Sequence, residues 1–232
     1  MSIFAIGDLH LSFAPGSDKP MDVFGSRWYN HEERIKEDWL KSVGEDDTVV
    51  IAGDVSWGLK QEEAAYDLRW IDALPGKKIL IKGNHDLWWT GINRLNRTYE
   101  SMLFLQNDFA LVEDCCICGS RGWITPGDDD FGEPDMKVYK RECLRLEASL
   151  KAAAEKAPGR EILCFLHYPP SSGRDYFSGF QQLFEDYGVR EVYYGHIHGE
   201  SGFAAAMQGE FYGSRYSLIS ADYLNCRLLR VR

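Results

Sequence analysis

Short apolar runs that end in glycine or aspartate alternate, in the first third of the chain, with stretches whose apolar positions recur at helical spacing. The runs Ser2–Gly7, Thr48–Ala52 and Lys78–Lys82 read as buried strands. Between them, Ile35, Trp39, Leu40 and Val43 share one face of a helix predicted over His31–Val43, with Asn30 and Glu33 spaced as a capping box. Ala64, Leu68, Ile71 and Leu74 do the same over Gln61–Leu74, and Pro75-Gly76 ends that helix. Such a β-α-β-α-β opening implies parallel strands joined by right-handed crossovers.

From Met102 onward the pattern changes. Met102–Leu105, Phe109–Val112 and Cys115–Gly119 read as successive short strands, and a long helix is predicted over about Asp135–Ala157, stopped by Pro158-Gly159. Glu161–Leu166 and Glu191–Tyr194 are again strand-like, with a helix near Tyr176–Tyr187 between them, and the stretch from Phe211 to Val231 reads as strands and turns. No repeat or Pro/Ser-rich linker interrupts the sequence, so one domain over residues 1–232 is expected. Its fold class is α/β: two mixed sheets packed together, with helices on the outer faces (αββα).

Composition narrows the function. A chain with 44% hydrophobic and 27% charged residues is globular rather than disordered. The net charge of −10 repels a phosphate backbone, so stable nucleic-acid binding is not expected. No apolar run reaches the ~18 residues of a membrane helix, and Asp8 comes too early for a signal peptide. A cytoplasmic protein without a membrane partner is therefore expected. Six cysteines in a chain of this length, without a second paired cluster, read as buried free thiols rather than disulfides or structural zinc.

Five of the six histidines fall in segments that follow predicted strands. These are Gly7-Asp8-Leu9-His10, Gly83-Asn84-His85-Asp86, Leu166-His167-Tyr168 and Gly195-His196-Ile197-His198, and Gly53-Asp54 is a further segment of the same kind. Ligand sites in α/β sheets lie beyond the carboxyl ends of strands, and glycine permits the sharp turns needed there. Any one of these histidines alone could be a satisfied loop residue, and His31, at a helix start, reads that way. Together, histidines, aspartates and an asparagine without thiolate form a mixed N/O donor set. Such a set suits Mn, Fe or Zn better than an all-oxygen Ca or Mg cage.

In this order, G-D-x-H, G-D, G-N-H-D, a lone H and G-H-x-H resemble the signature of the calcineurin-like metallophosphoesterases, from Gly7 to Gly199. The family fold is a β-sandwich with flanking helices. The resemblance implies that Asp8, His10 and His198 bind one divalent transition-metal ion. It also implies that Asn84, His167 and His196 bind a second and that Asp54 bridges both. His85 and Asp86 would be the catalytic pair that meets substrate, with Asp86 orienting the imidazole. The implied reaction is phosphoester hydrolysis by a metal-bridging hydroxide. By the same resemblance the ions would neutralise charge on the equatorial phosphoryl oxygens, and His85 would either stabilise that charge or protonate the leaving alcohol.

Protein Ser/Thr phosphatases of the superfamily carry D-R-G and G-N-H-E where this chain has Asp54-Val55-Ser56-Trp57-Gly58 and Asn84-His85-Asp86. The missing arginine favours a small phosphodiester as substrate over a phosphoprotein. Small bacterial predicted phosphohydrolases are the most similar branch, and Gly119-Ser120-Arg121-Gly122-Trp123 is typical of it. A nucleotide-sugar or lipid-precursor pyrophosphatase is the alternative, and a non-catalytic metal-binding scaffold a remote one. Arg121 follows a strand and is placed either to bind an anionic substrate or to stabilise its loop. Trp57, Trp88, Trp89 and Trp123 lie near motif ends, where stacking on a base competes with a place in the core. Asp128-Asp129-Asp130 reads as a solvated acidic loop, with a further cation as the other reading.

Overall fold

The computed structural model describes residues 1–17, 19–172 and 176–232, and in it the N-terminal apolar runs are adjacent parallel strands. The chain divides into two compact units, one of Met1–Phe104 with Ile219–Arg232 and the other of Leu105–Leu218. Each unit contains one mixed sheet with helices packed on it, in keeping with the expected α/β class.

In the first unit, β1 (Ile3–Ile6), β2 (Thr48–Ala52), β3 (Lys77–Ile81) and β4 (Met102–Phe104) run parallel in that order, and Leu229–Arg230 pairs antiparallel with β1. Helices α1 (His31–Ser42) and α2 (Gln61–Asp72) make the two crossovers. Ile35, Trp39, Ala64, Leu68 and Ile71 join Ile6, Val49, Ile51 and Leu80 in one core. Leu40 departs from the expected face and is 57% exposed. The buried stripe of α1 is His31, Ile35 and Trp39 at four-residue spacing, and position 40 lies about 100° further round the helix. The Asn30–Glu33 capping box is also absent. Asn30 sits at φ 49°, ψ 39°, left-handed rather than in the extended conformation of a capping residue, and its side chain makes no capping hydrogen bond.

The second unit contains β5 (Ala110–Val112), β6 (Cys115–Ser120), β7 (Glu161–Leu166) and β8 (Glu191–Tyr194), followed by β9 (Gly209–Phe211) and β10 (Ser214–Leu218). Strands β6, β7, β8 and β10 are parallel neighbours, with antiparallel β5 and β9 at the edges. The long helix, Glu133–Lys156, packs Leu146, Ser149, Leu150 and Ala153 inward. A buried leucine contributes about 1.5–3 kcal/mol, and buried Ser149 is satisfied by the Gly119 N–H and the Asp108 carbonyl. The helix predicted from Tyr176 begins instead at Gly179, because Ser178 and Gln181 form a reciprocal capping box. Helices Ile92–Thr98 and Gly199–Ala205 lacked an apolar period in the sequence and were not expected. All six cysteines are free thiols; burial pushes Cys118 up to about 12 and Cys226 up to about 11.

Lys78 on β3 is buried and closes the C-terminal end of α2. Its ammonium donates to the carbonyls of Leu74 and Asp72 and to Ser101 Oγ, where cations also oppose the helix dipole. Burial lowers its pKa from the ordinary lysine range. We expect Lys78→Met to cost about 2 kcal/mol, read as a Tm about 4–8 °C lower. Lys77→Met, one exposed position away, should leave Tm unchanged.

Candidate metal centre

In the first unit the turns after β1, β2 and β3 are bonded to one another. The Asp8 N–H donates to the Gly53 carbonyl and the His10 N–H to the Asp54 carbonyl, each at 2.9 Å. The Leu11 N–H reaches the Val55 carbonyl at 3.0 Å, and the Trp57 N–H returns to the Leu11 carbonyl at 2.9 Å. Asp8, His10 and Asp54 all take positive φ, at 59°, 47° and 50°. Such strain in non-glycine residues is held only where the surroundings impose it, and it concentrates at functional sites. The third turn packs so closely that a Cβ at Gly83 would overlap the amide nitrogen and Oδ1 of Asp54. Only glycine fits there, which accounts for the first residue of G-N-H-D.

These turns bury Asp8, His10 and Asp54. Asp8 and His10 offer ligand atoms within 4.8 Å of each other. Asp54 Oδ1 accepts the His85 N–H at 2.8 Å, while Oδ2 lies 3.9 Å from both His10 Nε2 and His85 Nε2. The His85 side chain is 44% exposed, and Asn84 is half-buried. Asp86 is fully buried and has different surroundings. Its Oδ1 accepts from the N–H groups of Val55 and Ser56 and from the Trp88 indole, and its Oδ2 accepts from the Gly83 N–H.

The second unit repeats the device. The N–H groups of His167 and Tyr168 donate to the Arg121 carbonyl, and the Gly195 N–H donates to the His167 carbonyl at 3.0 Å, joining the turns after β6, β7 and β8. His167 is buried, His196 is half-buried at φ 71°, and His198 is exposed. The His167 and His196 rings are 5.1 Å apart and offer ligand nitrogens within 4.8 Å. Tyr168 packs on His196 at 4.0 Å. Each unit thus presents imidazole nitrogens, in the first unit together with carboxylates, at the carboxyl ends of its parallel strands. That donor chemistry fits divalent transition metals.

Several other sequence expectations are now placed. His31 is buried with Nε2 on the Leu9 carbonyl at 3.0 Å, and burial lowers its pKa. Trp88 and Trp89 are core residues. Trp57 lies against His10 and His85, and Trp123 lies under the Arg121 guanidinium. Asp128 accepts from the Thr125 N–H and hydroxyl, closing its own turn. The packing of Trp57 and Tyr168 on the histidines could not be read from sequence beyond their nearness to the motifs.

The chain belongs to the calcineurin-like phosphoesterase family, whose model matches residues 1–200. This is a family of phosphohydrolases that use divalent metal ions. Its curated relatives include the Gene 66 proteins of Mycobacterium phages L5 and D29, 45% identical over 56 residues and 32% identical over 105. Those matches cover 24% and 44% of this chain, and 27% and 50% of the phage proteins, so the chain spans half of these relatives or less. Two solved structures are similar over 99% of this chain and 95% of their own. One is a phosphopantetheinyl hydrolase from Mycobacterium tuberculosis (TM-score 0.56, 16% identity), and the other a protein of unknown function from Aquifex aeolicus (0.53, 15%). At these identities the likeness is one of fold.

Arg121 has its guanidinium 4.4 Å from the Trp123 ring centre and pairs with Glu142 Oε1 at 3.4 Å. Glu142 is fully buried and also meets Arg145 at 2.9 Å and Arg141 at 3.6 Å. With the Arg121 side chain only 15% exposed, we expect Arg121→Met to lower Tm while leaving KM for an aryl phosphodiester unchanged. Glu142→Ala should cost about 3 kcal/mol, because it strands a buried cation. Thermal unfolding beside steady-state kinetics separates these roles, and a raised KM with unchanged Tm would place Arg121 on the substrate.

Proposed function

We propose that this chain hydrolyses a small phosphoester, with a phosphodiester as the preferred class. In this reading Asp8, His10 and His198 hold one divalent transition-metal ion, Asn84, His167 and His196 hold a second, and Asp54 serves both. The observation that carries the reading is the donor set at the strand ends: Asp8, His10 and Asp54, all buried and at positive φ, in one unit, and buried His167 with half-buried His196 at positive φ in the other. When bound, the ions would supply Lewis acidity toward phosphoryl oxygens and lower the pKa of water toward neutrality.

The chain's own residues do the rest. Two aspartates among the seven proposed ligands only partly offset two divalent cations, and Asn84 adds an oxygen without charge. A locally positive site can therefore exist in a chain of net charge −10 and draw in an anionic substrate. His85 is 44% exposed, with its backbone N–H fixed on Asp54 Oδ1, which suits it to protonate the departing alkoxide. Asp86, buried one residue away, holds the turn that presents His85 through its bonds to Gly83, Val55 and Ser56. The phosphopantetheinyl hydrolase among the structural neighbours supports a phosphate ester as substrate. The absence of an arginine beside Asp54 supports a small diester over a phosphoprotein.

The test is metal-free protein reconstituted with Mn²⁺, Fe²⁺, Zn²⁺ or Mg²⁺ and assayed on paired aryl mono- and diesters and a phosphopeptide. We expect metal-dependent turnover with the diester favoured; phosphopeptide hydrolysis without diester turnover would overturn the substrate class. Asp54→Asn should abolish turnover and reduce bound metal below two ions per chain. Two tightly held ions and near-native activity in that variant would remove Asp54 from the shared position. His85→Ala should keep both ions and lose kcat by roughly 10²–10⁴-fold. The loss should be smaller for acidic phenol leaving groups, which need little protonation, and an equal loss across a leaving-group series would sink the proton-donor role.

A further inference from the structure

We propose that Trp57 is the positioning residue of His85, holding the imidazole in its working orientation through ring packing. The inference rests on the proposed role of His85. The Trp57 and His85 ring centres are 4.5 Å apart, and Trp57 also stacks on His10 at 4.8 Å with only 24° between the planes. His85 itself sits edge-on to His10 at 5.7 Å. With 44% of the His85 side chain exposed, much of what limits its rotation is this aromatic wall.

Trp57 is itself held from several directions. Its backbone N–H donates to the Leu11 carbonyl, and its indole N–H points to Met21 Sδ at 3.3 Å. The preceding Ser56 donates its hydroxyl to buried Asp67 and accepts the Gly58 N–H. Gly58 passes α2 so closely that a Cβ would lie 2.6 Å from the Ala64 nitrogen, so the chain beyond the indole cannot shift toward the helix. Asp86 adds the decisive link. Its Oδ1 receives the N–H groups of Val55 and Ser56, next to Trp57, while its Oδ2 receives that of Gly83, two residues before His85. One carboxylate thereby sets the register of the indole against the imidazole. Lys19 Nζ lies 5.8 Å from the indole centre, and a cation over the ring stabilises it further.

The test is a double-mutant cycle on the metal-loaded protein with an aryl diester of poor leaving group. Trp57→Ala, Trp57→Leu and Trp57→Phe are each made with His85 present and with His85→Ala, and bound metal is counted throughout. We expect Trp57→Ala to lower kcat about 10- to 100-fold, the scale of misplacing a reacting group by an ångström. KM and metal content should hold, and Trp57→Phe should recover kcat to within about threefold of wild type. With His85 already alanine, Trp57→Ala should change kcat no further. Should Trp57→Ala not fold, Trp57→Leu keeps bulk without an aromatic face and is read against Trp57→Phe in the same way. An equal loss in both backgrounds, a defect confined to KM, or loss of metal would overturn the proposal. Unchanged kcat in His85→Ala alone would instead bring down the role of His85, and this inference with it; the two failures fall on different edges of the cycle.

Discussion

A buried carboxylate without compensation costs several kcal/mol, and Asp86 is completely buried at the centre of the first unit's loop cluster. Four N–H donors from the Gly83 amide, the Val55 and Ser56 amides and the Trp88 indole meet its two oxygens. Donors of this kind bond a charged acceptor more strongly than a neutral one. The arrangement works in both directions: the donors make the buried charge tolerable, and the charge fixes the loops that carry the donors. The turn after β3 and the turn after β2 therefore cannot move independently. The placement of Asp54, His85 and Trp57 follows from that constraint.

Rigid neighbours are what make strained non-glycine residues possible at the strand ends. Asp8, His10 and Asp54 adopt left-handed backbone conformations at the ends of β1 and β2, where backbone bonds between the two turns continue the strand pairing outward. A free loop would relax such residues into the favoured regions at negative φ. In the second unit the same logic holds His196, with the Gly195 N–H on the His167 carbonyl and Tyr168 against the ring. Parallel strands suit this arrangement because their carboxyl ends emerge at one edge of a sheet.

What could be read from sequence follows from which interactions are local. Strands β1, β2 and β3 and helices α1 and α2 were legible because apolar spacing and turn residues lie within each segment. The motif residues were legible because glycine, aspartate and histidine cluster immediately after apolar runs. Leu40 and Asn30 were misread because helical spacing cannot say where the neighbouring sheet ends, nor capping spacing what backbone angle the entry turn imposes. Gly199–Ala205 was hidden by its two glycines and lack of an apolar stripe. The engagement of Arg121 with Glu142 spans 21 residues, and no local pattern announces it.

The deepest limit concerns residues of one type in one motif neighbourhood. In sequence, Asp54 of Gly53-Asp54 and Asp86 of Gly83-Asn84-His85-Asp86 are both aspartates just after an apolar run, and only the family resemblance gives them different roles, Asp54 at the metals and Asp86 beside His85. Their hydrogen-bond partners set them apart. Both oxygens of Asp86 are committed to N–H groups, and giving a lone pair to a cation would weaken bonds that hold two loops. Asp54 meets the His85 amide through Oδ1 and turns Oδ2 toward two imidazole nitrogens, each too distant at 3.9 Å for a hydrogen bond. Asp86 is thus engaged by N–H groups from two loops, whereas Asp54 Oδ2 stands among imidazole nitrogens, the spacing on which its proposed metal role rests. The same sorting explains Asp67, whose two oxygens take the Phe13 N–H and the Ser56 hydroxyl and whose burial raises its pKa. The aspartates near the motifs thus divide by what they accept, and the division follows the tertiary contacts that bring β2, β3 and α2 together.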